Sequence, residues 1–216
     1  MTLRCLAFSL ARSNDPLCYH RVSSLREILM RKITAMLALA TLLAAPAIDL
    51  HPATLNGVTM PDTIQARGTP LVLNGMGLRT KYGLKLYVAG LYLQQKSSDP
   101  SAIIKANSPN RIVMQFLHSA SKSQMVNAFK ESFNDNSPDA MKAMQPDIDR
   151  LYGALDSVKV GDQMVFTYVP GTGTTFAING QDKLTIAGSA FNPVLLSVWL
   201  GPKPPTAAVK KGMLGK

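Results

Sequence analysis

Cysteine is scarce in this 216-residue chain: Cys5 and Cys18 are the two it has, and none follows. Glutamate is nearly as rare, with Glu131 alone after Glu27. Histidine occurs three times, as His20, His51 and His118. These shortages limit the chemistry. A cysteine-based zinc site is excluded beyond the first stretch, and no close His/carboxylate pattern replaces it, so no metal is expected. Paired-carboxylate catalysis has little to work with. Asp147 and Asp149 fall on different sides of a helix and are expected to face water. No uninterrupted apolar run reaches the roughly 20 residues of a membrane span, and no basic run or zinc-finger spacing points to nucleic acid.

What the first 47 residues do contain is informative. Met30-Arg31-Lys32 precedes ITAMLALATLLAA, Ile33 to Ala45, and Ala45-Pro46-Ala47 follows. A basic start, about a dozen apolar residues and an A-x-A-like site make a cleavable signal peptide over residues 30–47. A signal peptide should start the protein, so residues 1–29 are expected to be an over-extended N-terminus, with translation from Met30. Cleavage would leave a periplasmic or secreted chain that is not an integral membrane protein. It would also remove six basic and two acidic residues, lowering the net charge from +10 to +6. Both cysteines would go as well, so the mature chain must be held by its core alone. About 170 residues suffice for that.

Along the mature chain the pattern alternates between strands and helices. Residues 48–62 read as one short strand or an extended lead-in. Thr69 to Leu73 is a strand that Asn74-Gly75 should break, and Met76 to Gln95 a hairpin. Leu84 to Leu93 is apolar on both faces apart from Lys85, which marks a central strand covered on both sides. Asp99 and Pro100 open a short helix to Ala106. Arg111 to His118 is a strand with Ile112, Met114, Phe116 and His118 on one side. Ser121 or Ser123 caps a helix to about Phe133, with Val126, Phe129, Lys130 and Phe133 on one side. Pro138 opens a second helical stretch that Pro146 should kink or split. Strands follow at Gln163 to Val169, Thr174 to Ile178 and Lys183 to Ala187, with Asn179-Gly180 a hairpin turn. Ala190 to Leu200 is an apolar helix, and Pro205 to Leu214 can form a last one. Hairpin strands with grouped helices predict an α+β fold, an antiparallel sheet with helices against one face.

Familiar site patterns are weak. Pro170 to Thr175, PGTGTT, lacks the lysine of a phosphate loop and leads into a strand, so it reads as a hairpin turn. Ser119, Ser121 and Ser123 follow His118 without an acidic orienting partner, which favours a helix cap over a catalytic triad. His118 is expected at a pocket rim or surface. No cofactor motif is present.

The stretch LNGMGLRTKYGLKLYVAGLYL, residues 73–93, is different. It places Arg79 among apolar and aromatic neighbours, a position that either exposes the charge or uses it as an anion anchor with Tyr87 as a second donor. A two-residue turn at Tyr82-Gly83 would pair Arg79 with Leu86 and send Tyr87 to the opposite face. A three-residue turn over Lys81 to Gly83 would pair Arg79 with Lys85 and leave Arg79 and Tyr87 as diagonal neighbours on one face. Gly83 suits the last position of that longer turn. Periodicity adds Phe116, Met125, Phe129, Phe191 and Leu195 as candidates for an apolar wall.

GLRTKYGLKLYVAGLYL resembles the hairpin of the chalcone isomerase-like proteins, in which an arginine on one strand precedes a tyrosine- or threonine-bearing second strand. GDQMVFTYVPGTGTTFAINGQ resembles that family's paired late strands, and GSAFNPVLLSVWLGPKPPTAAVKKGMLG its terminal helices. The resemblance spans about Leu55 to Gly215 and is greatest to the exported bacterial branch. It implies an open-faced β-sandwich, a large antiparallel sheet under a layer of helices with a ligand cleft between, as one domain over residues 55–215. It also implies a function: binding of a fatty acid or similar small amphipathic acid, held by Arg79 and Tyr87. The alternative it implies is an intramolecular lyase, closing a chalcone ring with Arg79 as electrophilic stabiliser and Tyr87 holding a bridging water. On the helix where the isomerases carry a tyrosine and an asparagine, this chain has Ser123 and Asn127. Near the isomerases' C-terminal pocket hydroxyl it has Val198, with Ser197 adjacent. A non-enzymatic envelope component that binds another protein is the third possibility, and the sequence names no such partner.

Overall fold

The computed structural model describes residues 52–216. The expected N-terminal extension (1–29), the signal peptide (30–47) and His51 lie outside the described residues.

Two-residue turns with Gly second build the stretch from Ala53 to Leu93. Asn56-Gly57, Arg67-Gly68 and Tyr82-Gly83 all have positive φ at both positions, the conformation whose twist matches that of a β-hairpin. The first joins β1 (Ala53–Leu55) to β2 (Val58–Met60), a separate small ladder. The single lead-in strand expected here is therefore a hairpin. The second joins β3 (Thr63–Ala66) to β4 (Thr69–Lys81), and the third joins β4 to β5 (Leu84–Leu93). After α1 (Pro100–Lys105) come β6 (Asn110–Phe116), α2 (Lys122–Asn136), α3 (Pro138–Ala143) and α4 (Gln145–Ala154). Strands β7 (Gln163–Val169), β8 (Gly173–Ile178) and β9 (Gln181–Ala187) precede the terminal helices α5 (Phe191–Leu200) and α6 (Ala207–Met213). Strands β3 to β9 form one seven-stranded antiparallel sheet in chain order, with helices packed on it: the open-faced α+β arrangement that the sequence predicts.

Capping follows the expected chemistry. The Asp99 carboxylate accepts from Ser101 N–H and Ala102 N–H at the start of α1. Ser121 and Gln124 form a reciprocal capping box on α2, which ties two otherwise unpaired N–H groups. Pro146 sits in the first turn of α4, so the second helical stretch is split in two. The inward face of α2 is one residue out of step with expectation. Met125, Phe129 and Phe133 are buried, Val126 is half-buried and Lys130 is exposed.

From Tyr87 to Leu93 strand β5 is buried on both faces, as the apolar run after Lys85 requires. Tyr87, Ala89 and Leu91 join the core under the helices. Val88 and Tyr92 join a second cluster with Val58, Met60, Ala66, Leu71 and Leu73, so the β1–β2 hairpin covers the other face.

Strand β4 does not break at Asn74-Gly75. The ladder instead bulges there, between Leu73 and Gly75. The bulge frees Asn74 to work across the fold: its side-chain NH2 donates to the carbonyls of Met213 (2.8 Å) and Ser97 (3.0 Å), and its carbonyl accepts from Ser97 N–H (2.7 Å). Beyond it, Gly75 and Gly77 let α6 lie on β4 backbone to backbone. A Cβ at Gly75 would meet the carbonyl of Gly212, and one at Gly77 the carbonyl of Val209. That close approach is why glycine occupies these positions. Helix α6 thus covers β4 as far as Gly77, and the next inward-facing residue is Arg79. No helix among the described residues is long and apolar enough to cross a membrane.

Candidate ligand cavity

The relation of Arg79 to Tyr87 is set by a bulge. The turn has the two residues Tyr82 and Gly83, since Lys81 pairs with Leu84 and Thr80 with Lys85. The three-residue turn is not what forms. A regular ladder would then oppose Arg79 to Leu86, but the register shifts between Thr80 and Arg79, and Arg79 pairs directly with Tyr87. Leu86 is the extra residue. Its carbonyl accepts instead from the backbone N–H groups of Leu117 (2.9 Å) and His118 (3.2 Å), beyond the end of β6. One inserted residue returns Tyr87 to the face that Arg79 occupies.

The pairing continues into the next strand, where Tyr87 opposes Phe116. Arg79, Tyr87 and Phe116 therefore form one row across β4, β5 and β6, facing the helices. The rings of Tyr87 and Phe116 meet edge to face, 5.9 Å apart. Above the row, α5 supplies Trp199, whose indole N–H donates to the Tyr87 hydroxyl oxygen at 3.0 Å. An indole N–H can only donate. The Tyr87 oxygen is thus an acceptor in that bond, and its own hydrogen remains available to a second group. Burial raises the Tyr87 pKa above the ordinary tyrosine value, against the opposing pull of the Arg79 charge and the Trp199 hydrogen bond. Tyr87 is therefore a neutral donor near neutral pH. Arg79 is half-buried, and no carboxylate among the described residues lies within ion-pair distance of it.

These groups line a cavity of about 430 Å³ between the sheet and helices α2 and α5. Leu86, Met114, Phe116, Met125, Phe129 and Trp199 supply apolar wall. Exposed residues ring its outer part: Lys81, Tyr82, His118, Gln124, Asn127 and Glu131. Behind the wall stands an aromatic cluster. Phe129 meets Trp199 edge to face at 6.2 Å, and Phe166 stacks on Phe176 at 4.9 Å.

Of the residues singled out from sequence, Arg79, Tyr87, Phe116, Met125 and Phe129 come together on this cavity. Phe191 and Leu195 do not line it. Both are buried in the core, and Phe191 packs on Phe133 at 6.3 Å. Helix α5 is buried almost all round, so apolar periodicity could not say which of its faces meets the cavity. Phe191 lies two turns before Trp199, roughly 12 Å along the axis. Asn127 and Val198 line the cavity. Ser123 is engaged with Ser121 (2.9 Å), and Ser197 bonds the Val194 carbonyl (2.6 Å) and the Ser137 hydroxyl (2.9 Å). Sequence reasoning missed Trp199 as a site residue. It is the chain's single tryptophan, set in a mostly apolar helix whose polar residues are Asn192 and Ser197, and a buried indole N–H normally needs a partner.

The remaining patterns have structural roles. Pro170 to Thr175 turns β7 into β8, with Thr172 N–H donating to the Val169 carbonyl at 3.0 Å. Asp147 pairs with Arg150 at 3.1 Å, and Asp149 accepts from the Gln145 amide at 2.8 Å. No group of three or more His, Cys, Asp or Glu able to hold a metal occurs among the described residues.

Comparison with known proteins agrees with this architecture. The model of a family described as chalcone isomerase-like matches residues 52–215. No curated protein matches the chain. Among solved structures, the crystal structure of an Arabidopsis thaliana fatty-acid binding protein superposes with a TM-score of 0.59 at 14% identity, covering 76% of this chain and 96% of that one. At that identity the likeness is one of fold.

Proposed function

Since this chain belongs to the chalcone isomerase-like family, we propose that it binds a fatty acid or similar small amphipathic acid in the cavity over Arg79 and Tyr87. The observation that carries the reading is the donor imbalance at the polar end of an apolar space. Arg79 has no acidic partner there, and Tyr87 has its hydroxyl hydrogen left over once Trp199 has used its oxygen. Two donors side by side call for an acceptor, and a carboxylate supplies one with the charge that satisfies a guanidinium. The apolar wall of Leu86, Met114, Phe116, Met125 and Phe129 would take the alkyl part, and a volume of about 430 Å³ is within the usual size of ligand cavities. The neighbouring fold of a fatty-acid binding protein supports the same choice.

Ring closure of a chalcone is the weaker reading. The same donors would stabilise an enolate, but catalysis also needs groups that position the other reactant. Helix α2 brings Asn127 alone of the two compared residues to the cavity, with Ser123 held elsewhere. We further propose export to the periplasm through the signal segment at residues 30–47. N-terminal sequencing of the mature protein tests it, and a peptide from residues 20–29 in purified material would contradict a start at Met30.

The binding test is calorimetric titration of delipidated protein with a long-chain fatty acid. A charge-assisted hydrogen bond contributes about 1.5–3 kcal/mol, so Arg79→Gln should weaken binding by roughly 10- to 150-fold. Equal affinity in wild type and variant would sink the reading. Native mass spectrometry of protein purified from its host should show a co-purifying acid.

A further inference from the structure

The cavity opens at one end of the sheet, and the protein leaves its large apolar side chains in water at that same end. Tyr82 is 91% exposed, Val160 65% and Leu84 50%, and these are the exposed large hydrophobics among the described residues. Tyr82 and Leu84 form the tip of the β4–β5 hairpin and border the cavity. Val160 lies in the loop entering β7. Its neighbour Gly161 donates its N–H to the Phe116 carbonyl at 2.8 Å, and Phe116 N–H donates to the Asp162 carbonyl at 2.9 Å. Val160 thus sits beside the end of β6, next to the row that carries Tyr87.

Tyr82 is also the wrong residue for its turn. Four turns place a non-glycine residue at positive φ before a glycine, and two of them use asparagine, Asn56 and Asn179. Asparagine tolerates that conformation, whereas a bulky aromatic rarely adopts it. Tyr82 has φ 52° and almost no contact with the rest of the fold, so neither turn chemistry nor packing accounts for it. Lys81 and Lys85 flank it, with the Lys81 ammonium 5.5 Å over its ring, and no acidic residue interrupts residues 81–85. Glu131 is the acidic residue of the cavity lining.

An exposed tyrosine and leucine between two lysines match the layered chemistry of a bilayer interface. The ring and the leucine enter the headgroup–acyl boundary, and the lysines meet lipid phosphates. The patch is a narrow, projecting hairpin tip, which suits insertion better than the roughly 800 Å² per partner of a stable protein interface. We propose that this end of the sheet docks on a membrane surface bearing anionic phospholipid, with Tyr82 and Leu84 inserted and Lys81 and Lys85 on the phosphates, so that the cavity faces the lipid from which its ligand is drawn. The docking stands on the hairpin alone; only the identity of what is drawn in rests on the fatty-acid reading.

Vesicle co-sedimentation of the protein as its host processes it tests this, with phosphatidylcholine alone and with phosphatidylcholine mixed with phosphatidylglycerol. Wild type should bind the anionic vesicles, release in high salt, and bind the neutral ones at least fivefold more weakly. Lys81→Glu with Lys85→Glu should reduce anionic-vesicle binding about tenfold or more. Tyr82→Asn should reduce it as well while the melting temperature holds or rises, because asparagine suits the turn; this separates lost docking from lost folding. No binding by wild type overturns the proposal and leaves the patch to a protein partner. Binding that the hairpin variants do not change overturns it too. Calorimetric titration of vesicle-free wild type with fatty acid reads the cavity separately, so failure of docking and failure of ligand binding are distinguishable.

Discussion

Trp199 has one hydrogen to give, and it gives it to Tyr87. That pairing creates mutual dependence. Tyr87→Phe leaves a buried indole N–H without an acceptor, which should cost about 1–3 kcal/mol of stability. Trp199→Phe removes the donor and shrinks a packed ring, so the same oxygen loses its partner and a void opens beside Phe129 and Phe166. That variant should cost about 2–4 kcal/mol. The double variant strands neither group. Its cost, measured by denaturant unfolding, should fall short of the sum of the singles by about 0.5–3 kcal/mol. Strict additivity would mean that the 3.0 Å contact contributes nothing. Fatty-acid binding should also weaken in Tyr87→Phe, because the hydroxyl that the indole leaves free is then gone.

Among the elements, the fit of α6 to β4 is the least forgiving. Gly77→Ala would push a methyl into the backbone of Val209, which cannot swing aside as a side chain can. The helix must lift, at a cost of about 1–3 kcal/mol or more. Gly90→Ala meets the end of the Met60 side chain instead, so its thermal midpoint should fall less. A larger loss at Gly90 than at Gly77 would contradict this picture. The same elements mark how far the sequence can be read. The strands from Thr69 on, the Asp99 and Ser121 caps, the split at Pro146 and the Asn179-Gly180 turn all announce themselves within a few residues, whereas the four-residue β3, Thr63–Ala66, is too short to do so. The bulge at Leu86 does not announce itself either. It is stabilised by N–H groups of Leu117 and His118, some 30 residues on, so local pattern favoured a longer turn over an irregular ladder. Asn74 misled for a related reason. Asn-Gly reads as a turn, but its partners are Ser97 and Met213. At Asn56-Gly57 the signal was present, and three-residue strands were too short to show their alternation. Within the cavity, the arginine–tyrosine pair was visible because a charge in an apolar run is conspicuous. Which side of the mostly apolar α5 meets the cavity was invisible.

At the scale of the whole molecule, buried tyrosines make the fold sensitive to alkali. Burial raises the pKa of Tyr87, and moves Tyr92 and Tyr152 from the ordinary 10.0 to about 12. Unfolded tyrosines release their protons near pH 10, while the folded ones keep them. The unfolded chain therefore binds fewer protons above pH 10, and stability declines as pH rises. The stabilisation is complete below pH 10 and is lost as pH passes through the folded values. The melting temperature should be flat from neutrality to about pH 9 and fall steeply from pH 10 to 12, with tyrosinate absorbance rising in step with unfolding; ionisation of all tyrosines before the melt would contradict the assignment. The contact between Asn74 and Met213 joins residues 139 apart and has a consequence for timing. Strand β4 has no cover over Gly75 and Gly77 until α6 arrives, and the cavity lacks the wall that Val198 and Trp199 of α5 supply while the chain is still emerging. Contacts this distant in sequence form late and slowly. A chain exported as proposed would keep this part open through synthesis and threading. It could acquire a ligand site only on the far side, where its last residues arrive beside the lipid.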